Sequence, residues 1–489
     1  MQGCIPEAIR ELECMKSKRD VDFGVVVALL HFHGKAVIVD REAVEVLSAT
    51  LTITEDMASD SAVLTAARFR WLTGDLREAR RLVERVMGGG CEAQTPIQQQ
   101  AFSLRGWIDA SVRNPQSKAD VDLRKDSIRY FEGSGQSQDL DTVMGKAFCF
   151  STSLKGLDRA IDHLNHTIAL HSGFWPALAE KAKLLMAAGE WDQASDIVSR
   201  ILEMDDGNLQ ALALYALHSI TQLEQTQVES VDRLRRLSES LSKREPRNGP
   251  LHLAISKPFA RVCSRDPVLL QLTIGMLESV KDDNPDLLGE LGYQFSLLGT
   301  YDSAIEAYQE ATKIHESNVQ AMTGVVYCQV HQGDLEDAAQ QLEFLTVLQD
   351  SIGSSPEICL VRALLKFRLE RSMDEHIKQL DECHERLEAL AKEELRTTDI
   401  LQRLCAHNPD FMLEIAKEYL LHASNGAEGP AGSEKIKGSG LGTWSPVEKG
   451  LAMLQKVVRL VPGHLDARLS MARAYFATNQ TDLAHQTLQ

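Results

Sequence analysis

The chain has 489 residues, of which 44% are hydrophobic and 25% charged, with 52 Lys/Arg against 70 Asp/Glu for a net charge of −18. That is room for about three ordinary domains or one extended array. The acidic balance argues against a nucleic-acid binder, which needs a basic face for phosphate contacts. Aromatic content of only 6% favours many thin helical layers over a few thick cores.

The opening "MQGCIPEAIRELECMKSKRD" lacks the apolar core of a secretory signal, and Gln2 stands where myristoylation needs Gly. The apolar run "FGVVVALLHF" at 23–32 is half the length of a membrane helix, so no direct membrane insertion is expected. Nine cysteines, none closer than ten residues to the next, exclude C-x-x-C zinc or redox spacing and suit a reducing, cytoplasmic compartment.

Further along, a ruler emerges. Ala160 and Leu164 recur as Ala194 and Val198, and Gly299, Ala304 and Tyr308 recur as Gly333, Ala338 and Leu342, each displaced by 34. That is the tetratricopeptide (TPR) period, in which each unit is two antiparallel helices that must stack on neighbours to bury their apolar faces. The unit from Asp60 supplies Ala67, Gly74, Leu76, Ala79 and Val86. The unit from Trp175 supplies Ala182, Gly189, Trp191, Ala194 and Leu202. The spacing predicts units starting near Asp22, Asp60, Gln98, Asp141, Trp175, Leu209, Leu251, Pro285, Val319 and Glu357, with a further first helix at 411–421. Gly74, Gly189, Gly299 and Gly333 are expected as left-handed C-caps, followed by Asp75, Asp192, Asp302 and Asp334 as N-cap candidates. Pro258, at a helix-crossing site, is expected to kink or shorten its helix.

The expected fold is therefore all-α, a TPR-type helical-hairpin solenoid wound as a right-handed superhelix. The array runs over 1–422, a flexible Gly/Ser-rich insertion occupies 423–445, and the array continues over 446–489. Smaller insertions are expected at 112–124 and 222–228. "PEAIRELECMKSKRD" is phased as a second helix without a first, and "TDLAHQTLQ" as a second helix cut short. Both ends are thus expected to be cuts through a longer array.

Catalytic and cofactor signals come to nothing in the sequence. "GKA" at 34–36 and 145–147 lacks the rest of a P-loop, and "GSGLG" at 438–442 falls in the insertion. Asp162, His163 and His166 lack further metal ligands nearby. Cys383 and His384 are adjacent on a helix, about 100° apart, and do not face each other. The run "DRLRRLSESLSKR" at 232–244 reads as a solvated helix face. No catalytic, cofactor or metal site is expected.

Five stretches resemble one family, the tetratricopeptide-repeat protein 21 family: "EAIRELECMKSKRDV" (7–21), "EWDQASDIVSRIL" (190–202), "LGELGYQFSLLGTYDSAIEAY" (288–308), "AAQQLEFLTVLQDSIGSSPE" (338–357) and "NPDFMLEIAKEYL" (408–420). The family is the large TPR subunit of intraflagellar transport complex A. The resemblance implies a non-enzymatic scaffold of the cytoplasm, cilium and ciliary base, acting in retrograde transport and receptor entry. Its implied partners are other complex A subunits built of β-propellers and TPR arrays, with the dynein-driven train and receptor cargo reached indirectly. Two other readings stand beside it. One is the arm of an enzyme, such as a TPR glycosyltransferase, whose catalytic domain lies elsewhere. The other is a chaperone adaptor, disfavoured because Gly289, Tyr293, Thr323, Tyr327, Ala179 and Lys183 do not form a carboxylate clamp.

A partner groove is expected on the first helices. Tyr293 and Tyr327 are 34 apart, so they take the same place in consecutive units, and Val330 and His331 would extend the strip. The groove would grip an extended or helical segment of a partner, with the tyrosines as anchors. The more ordinary alternative is a packing role for both rings.

Overall fold

The computed structural model describes residues 5–18, 22–35, 40–88, 93, 95–112, 118–135, 139–151, 156–222, 226–280, 284–352, 355–394, 399–422 and 445–488. Among them there are helices and turns and no strand. The chain falls into two compact units, Met1–Leu184 and Leu185–Gln489.

The first unit opens with α1 (Ile5–Lys18). The hairpins follow as α2 (Phe23–Lys35) with α3 (Arg41–Met57), α4 (Asp60–Leu72) with α5 (Leu76–Met87), α6 (Pro96–Ala110) with α7 (Lys118–Gly133), and α8 (Leu140–Ser151) with α9 (Leu157–Leu170). Helix α10 (Trp175–Ala188) carries the chain into the second unit. There, α11 (Trp191–Met204) leads to α12 (Leu209–Thr221) with α13 (Gln227–Arg244) and α14 (Gly249–Ala260) with α15 (Pro267–Glu278). Next come α16 (Pro285–Leu298) with α17 (Tyr301–Ile314), α18 (Val319–Gln332) with α19 (Leu335–Ile352), and α20 (Pro356–Glu370) with α21 (Met373–Glu394). The short α22 (Ile400–His407) precedes α23 (Pro409–Leu421), which pairs with α24 (Pro446–Leu460), and α25 (Leu465–Ala477) with α26 (Thr481–Leu488) ends the series. The ten first helices from α2 to α20 start within two residues of the unit starts read from the 34-residue spacing.

Local chemistry sets these boundaries. Thr95 with Gln98, Thr226 with Glu229 and Ser445 with Glu448 form capping boxes at α6, α13 and α24. Gly299 and Gly333 close α16 and α18 at φ of 81° and 96°, where a side chain would be strained. Asp75 caps α5 by accepting from the Glu78 amide. Asp192 and Asp302 differ from expectation, since the cap positions are Glu190 and Thr300 and each aspartate lies inside the first turn. A carboxylate there meets the positive end of the helix dipole instead of a cap amide, and Asp302 accepts from Gln332 Nε2 at 2.7 Å. The insertion expected at 423–445 lies outside the described residues except for Ser445. That at 112–124 ends early, because α7 begins at Lys118.

Successive first helices touch one another, α2 to α4, α4 to α6 and α6 to α8 in the first unit and α14 to α16, α16 to α18 and α18 to α20 in the second. Within each unit these helices form one layer held by close packing. In each unit one buried ring is clasped between two glycines. A methyl at Gly106 would lie 2.7 Å from Phe131, and one at Gly145 would overlap the same ring. Likewise a methyl at Gly292 would lie 2.8 Å from Tyr308, and one at Gly324 would overlap it. The scattered glycines thus mark where a ring of the second helix is received by two first helices.

The second unit has a long-range fastening as well. In the turn after α24, the Gly463 amide donates to the Thr221 carbonyl at the end of α12 at 2.7 Å. A side chain at Gly463 would meet three carbonyl oxygens of residues 220–222 within 2.9–3.1 Å. Among the described residues no helix is long and apolar enough to cross a membrane.

Candidate partner groove

The groove of the second unit begins with a broken helix. Pro258 lies inside α14, which ends two residues later. A tight turn follows in which Ser264 and Arg265 both take left-handed backbone, φ 53° and 57°. For non-glycine residues that costs roughly 1–2 kcal/mol each. The turn aims Arg265 across the inner face. Its Nε and Nη2 donate to the two oxygens of Asp410 at 2.8 and 3.0 Å, and Nη2 also donates to Glu414 Oε2 at 2.9 Å. Burial opposes the guanidinium charge, but Asp410 and Glu414 more than offset it and hold its pKa above the usual range.

Both acids stand on α23. Asn408, in left-handed backbone at φ 42°, ends α22 and caps α23, accepting from the Phe411 amide at 3.3 Å. Pro409 then starts the new helix at its first position. Asp410 and Glu414 are one turn apart, so they present carboxylates to one side. That side meets α16 and α18. The Tyr293 hydroxyl lies 3.4 Å from Asn408 Oδ1, and the Tyr327 hydroxyl donates to Glu414 Oε1 at 2.5 Å. Burial, then the neighbouring Glu414, pushes the Tyr327 pKa well up. His331 Nε2 lies 3.8 Å from Glu414 Oε1, and its ring stacks on Tyr301 at 5.5 Å. Burial, with Arg368 and Arg265 nearby, depresses His331 to about 4, so it is neutral here.

Beneath Tyr293 lies a second pair. Arg261 Nη1 and Nη2 donate to the Glu290 carboxylate at 2.8 and 2.7 Å, and its guanidinium sits 3.9 Å from the Tyr293 ring centroid. Both side chains are buried, 4% and 2% exposed, and this pairing keeps both charges tolerable without water. One turn beyond Glu414, burial and repulsion from Glu414 raise Glu418 to about 7. Its Oε2 lies 3.6 Å from His376 Nε2, while His376 Nδ1 shares a 2.8 Å hydrogen bond with His422 Nε2. Burial and His422 depress His376 to about 4.

Tyr293, Tyr327 and His331 lie against a helical segment. That segment is α23 of the same chain. Val330 is a correction: it is fully buried in the core with Phe411, Ile415 and Leu364, and its carbonyl accepts from Arg368. Three residues after Tyr327 it is rotated about 60° from that ring into the core, while His331, four after, is rotated about 40° to the other side. The residues missed in the sequence are Arg261, Arg265, Asn408, Asp410 and Glu414. The break at Pro258 and the Asn-Pro-Asp start of α23 are their only local signals.

The remaining chemical candidates are absorbed by packing. Cys383 is buried with Sγ 3.2 Å from the Pro356 carbonyl, and burial pushes its thiol pKa well up. His163 stacks on Phe150 at 5.4 Å. In α13, Arg244 pairs with Asp205 at 2.6 Å and Arg233 lies over the Tyr215 ring at 3.9 Å. Among the described residues no group of three or more His, Cys, Asp or Glu is placed to hold a metal.

Stacked hairpins whose successive first helices touch define an α-helical repeat protein. Residues 1–195 match the family described as "Tetratricopeptide repeat protein 21 N-terminal ARM repeat", and residues 232–489 match "Tetratricopeptide repeat protein 21 second ARM domain". The chain belongs to the tetratricopeptide repeat protein 21 family. It is 32% identical to tetratricopeptide repeat protein 21A of Mus musculus over 99% of its own length and 35% of that protein. It is 30% identical to tetratricopeptide repeat protein 21B of Homo sapiens over 100% of its length and 36% of that protein, so it spans about a third of these relatives. Among solved structures, the chain in "Crystal structure of APC/C hetero-tetramer Cut9-Hcn1" superposes loosely, with a TM-score of 0.31, 14% identity and coverage of 97% of this chain and 94% of that one.

Proposed function

We propose that the protein is a non-enzymatic scaffold subunit of intraflagellar transport complex A, working in the cytoplasm, at the ciliary base and in the cilium. In this role it supports retrograde transport and ciliary entry of membrane receptors. Other complex A subunits are its direct partners, and the dynein-driven train and receptor cargo are reached through them. The observation that carries the reading is the match of two consecutive family segments, residues 1–195 and 232–489, along almost the whole chain. The fate of the interior charges agrees with it: Arg261, Arg265, Glu290, Asp410 and Glu414 are spent on joining helices. The test is recovery of the tagged chain from ciliated cells, followed by quantitative identification of its companions. Complex A subunits at near-stoichiometric yield are expected. Their absence, with the chain folded and expressed, overturns the reading.

A further inference from the structure

The glycine clasp of the second unit is repeated in the first, and the repetition extends to the groove. Tyr293 follows Gly292 by one residue and Tyr327 follows Gly324 by three; Trp107 follows Gly106 by one and Phe148 follows Gly145 by three. Because Gly106 and Gly145 close on Phe131 as Gly292 and Gly324 close on Tyr308, Trp107 and Phe148 hold the places in the first unit that the two tyrosines hold in the second. Their rings are neighbours, 5.6 Å between centroids, and Trp71 of the preceding first helix extends the strip at 6.3 Å from Trp107. In the second unit these places are covered by α23. In the first, Phe148 is 38% exposed, and the helices packed on α6 and α8 are their array neighbours α4, α5, α7 and α9.

We infer that the Trp107–Phe148 strip is a docking groove for one amphipathic helix of a partner protein, laid across the first helices as α23 is laid across α16 and α18. The chemistry of the two grooves sets the chemistry of the two helices. The Tyr327 hydroxyl donates to a carboxylate of α23, and Tyr293 meets its cap asparagine. In the first unit Phe148 has no donor, and the Trp107 indole N–H is spent on the Asp141 carbonyl at 3.2 Å. Trp71 likewise donates to Ser111 Oγ at 2.9 Å. A carboxylate laid there would lose water and gain no donor from these rings, whereas an aliphatic side chain would gain contact with exposed aromatic surface. The occupant therefore presents leucine-like residues one turn apart where α23 presents Asp410 and Glu414.

The inference deepens the scaffold reading and rests on it for the existence of a partner, but its test needs no ciliary component. A fluorescein-labelled peptide of sequence Asn408–Leu421, stapled into a helix and carrying Asp410→Leu and Glu414→Leu, is titrated with the full-length chain by anisotropy. Saturable binding is expected, weakened about tenfold or more by Phe148→Ser in the chain and kept within about threefold by Phe148→Leu. The peptide with its native acids is expected to bind at least about tenfold more weakly than the leucine peptide. Circular dichroism checks that both variants stay folded at the assay temperature, since Phe148 is part-buried against Trp107. The inference is overturned by the absence of saturable binding below about 1 mM, by unchanged binding to the Phe148→Ser chain, or by equal binding of the acidic peptide.

Discussion

Two regions of the molecule share one frame and use it differently. In the second unit, Glu290 stands two residues before Gly292 and pairs with Arg261 in the interior. In the first, Leu104 stands two residues before Gly106 and is simply buried. The second unit places tyrosine hydroxyls on its inner face and fills it with its own acid-bearing helix, while the first places an indole and a phenyl ring there. The clasp fixes where the two rings stand, and one oxygen atom on each decides what they can hold. Within one chain, backbone geometry and binding chemistry are therefore separable, because the glycines set the first and the residues beside them set the second.

The contrast can be broken most severely at Arg261. Arg261→Gln leaves Glu290 buried without its cation and should cost about 3–5 kcal/mol. The loss should be confined to the second unit when hydrogen exchange is followed region by region during urea unfolding. Adding Glu290→Leu, which gives the second unit the pattern of the first, should recover most of the loss; a double variant as unstable as the single would show that the pair does more than neutralise itself. A smaller cut is Tyr327→Phe, which makes the second groove resemble the first by deleting one hydroxyl. Loss of a buried hydrogen bond to a charged group predicts about 1.5–3 kcal/mol, seen as faster exchange in α23 while α6 and α8 keep their rates.

Substitutions within the clasp test whether the two frames are equivalent. Gly145→Ala and Gly324→Ala each force a methyl into a buried ring and should cost a similar amount, about 1–3 kcal/mol, in their own units. A marked disparity in the two urea midpoints would dissolve the equivalence. The mildest probe is acid. His331 and His376 are depressed from 6.5 to about 4, so the unfolded chain takes up protons below about 6.5 that the fold refuses, and stability falls as pH drops toward 4. Glu418, raised to about 7, acts in the opposite sense: its contribution is complete below its ordinary value of 4.5 and is lost as pH rises through 7. The two histidines outweigh the single acid between 4.5 and 6.5. Unfolding midpoints of the second unit should decline from pH 6.5 to 5, and His331→Gln should flatten that decline by about 1 kcal/mol or less, given its partial exposure.

Much of this architecture could be read from short-range pattern. A repeat of 34 fixes helix starts because each hairpin must meet its neighbour in the same register, and Gly299 and Gly333 announce their turns by the backbone they permit. Tyr293 and Tyr327 share one place in consecutive units for the same reason, being one period apart. What they lie against is not legible in this way, because Arg265 and Asp410 are 145 residues apart and no periodicity links a strained turn to a carboxylate four hairpins later. Spacing alone does not separate Val330, fully buried in the core, from Tyr327 and His331 beside it. The caps fall at Glu190 and Thr300, two residues before Asp192 and Asp302, because capping depends on backbone angles that composition does not reveal.

The clasp between Gly463 and Thr221 changes the mechanics of the second unit. A row of hairpins tied only to adjacent hairpins yields under tension like a coil spring, each joint opening a little. Here the turn after α24 is fastened to the end of α12, so the intervening hairpins form a loop with a buckle. Tension applied across such a loop is carried first by the buckle, a backbone hydrogen bond where any side chain at residue 463 would crowd three carbonyl oxygens. The Arg265 pairs with Asp410 and Glu414 cross the same span, so a pull along the second unit meets a backbone bond and a part-buried ion pair before its hairpins can separate.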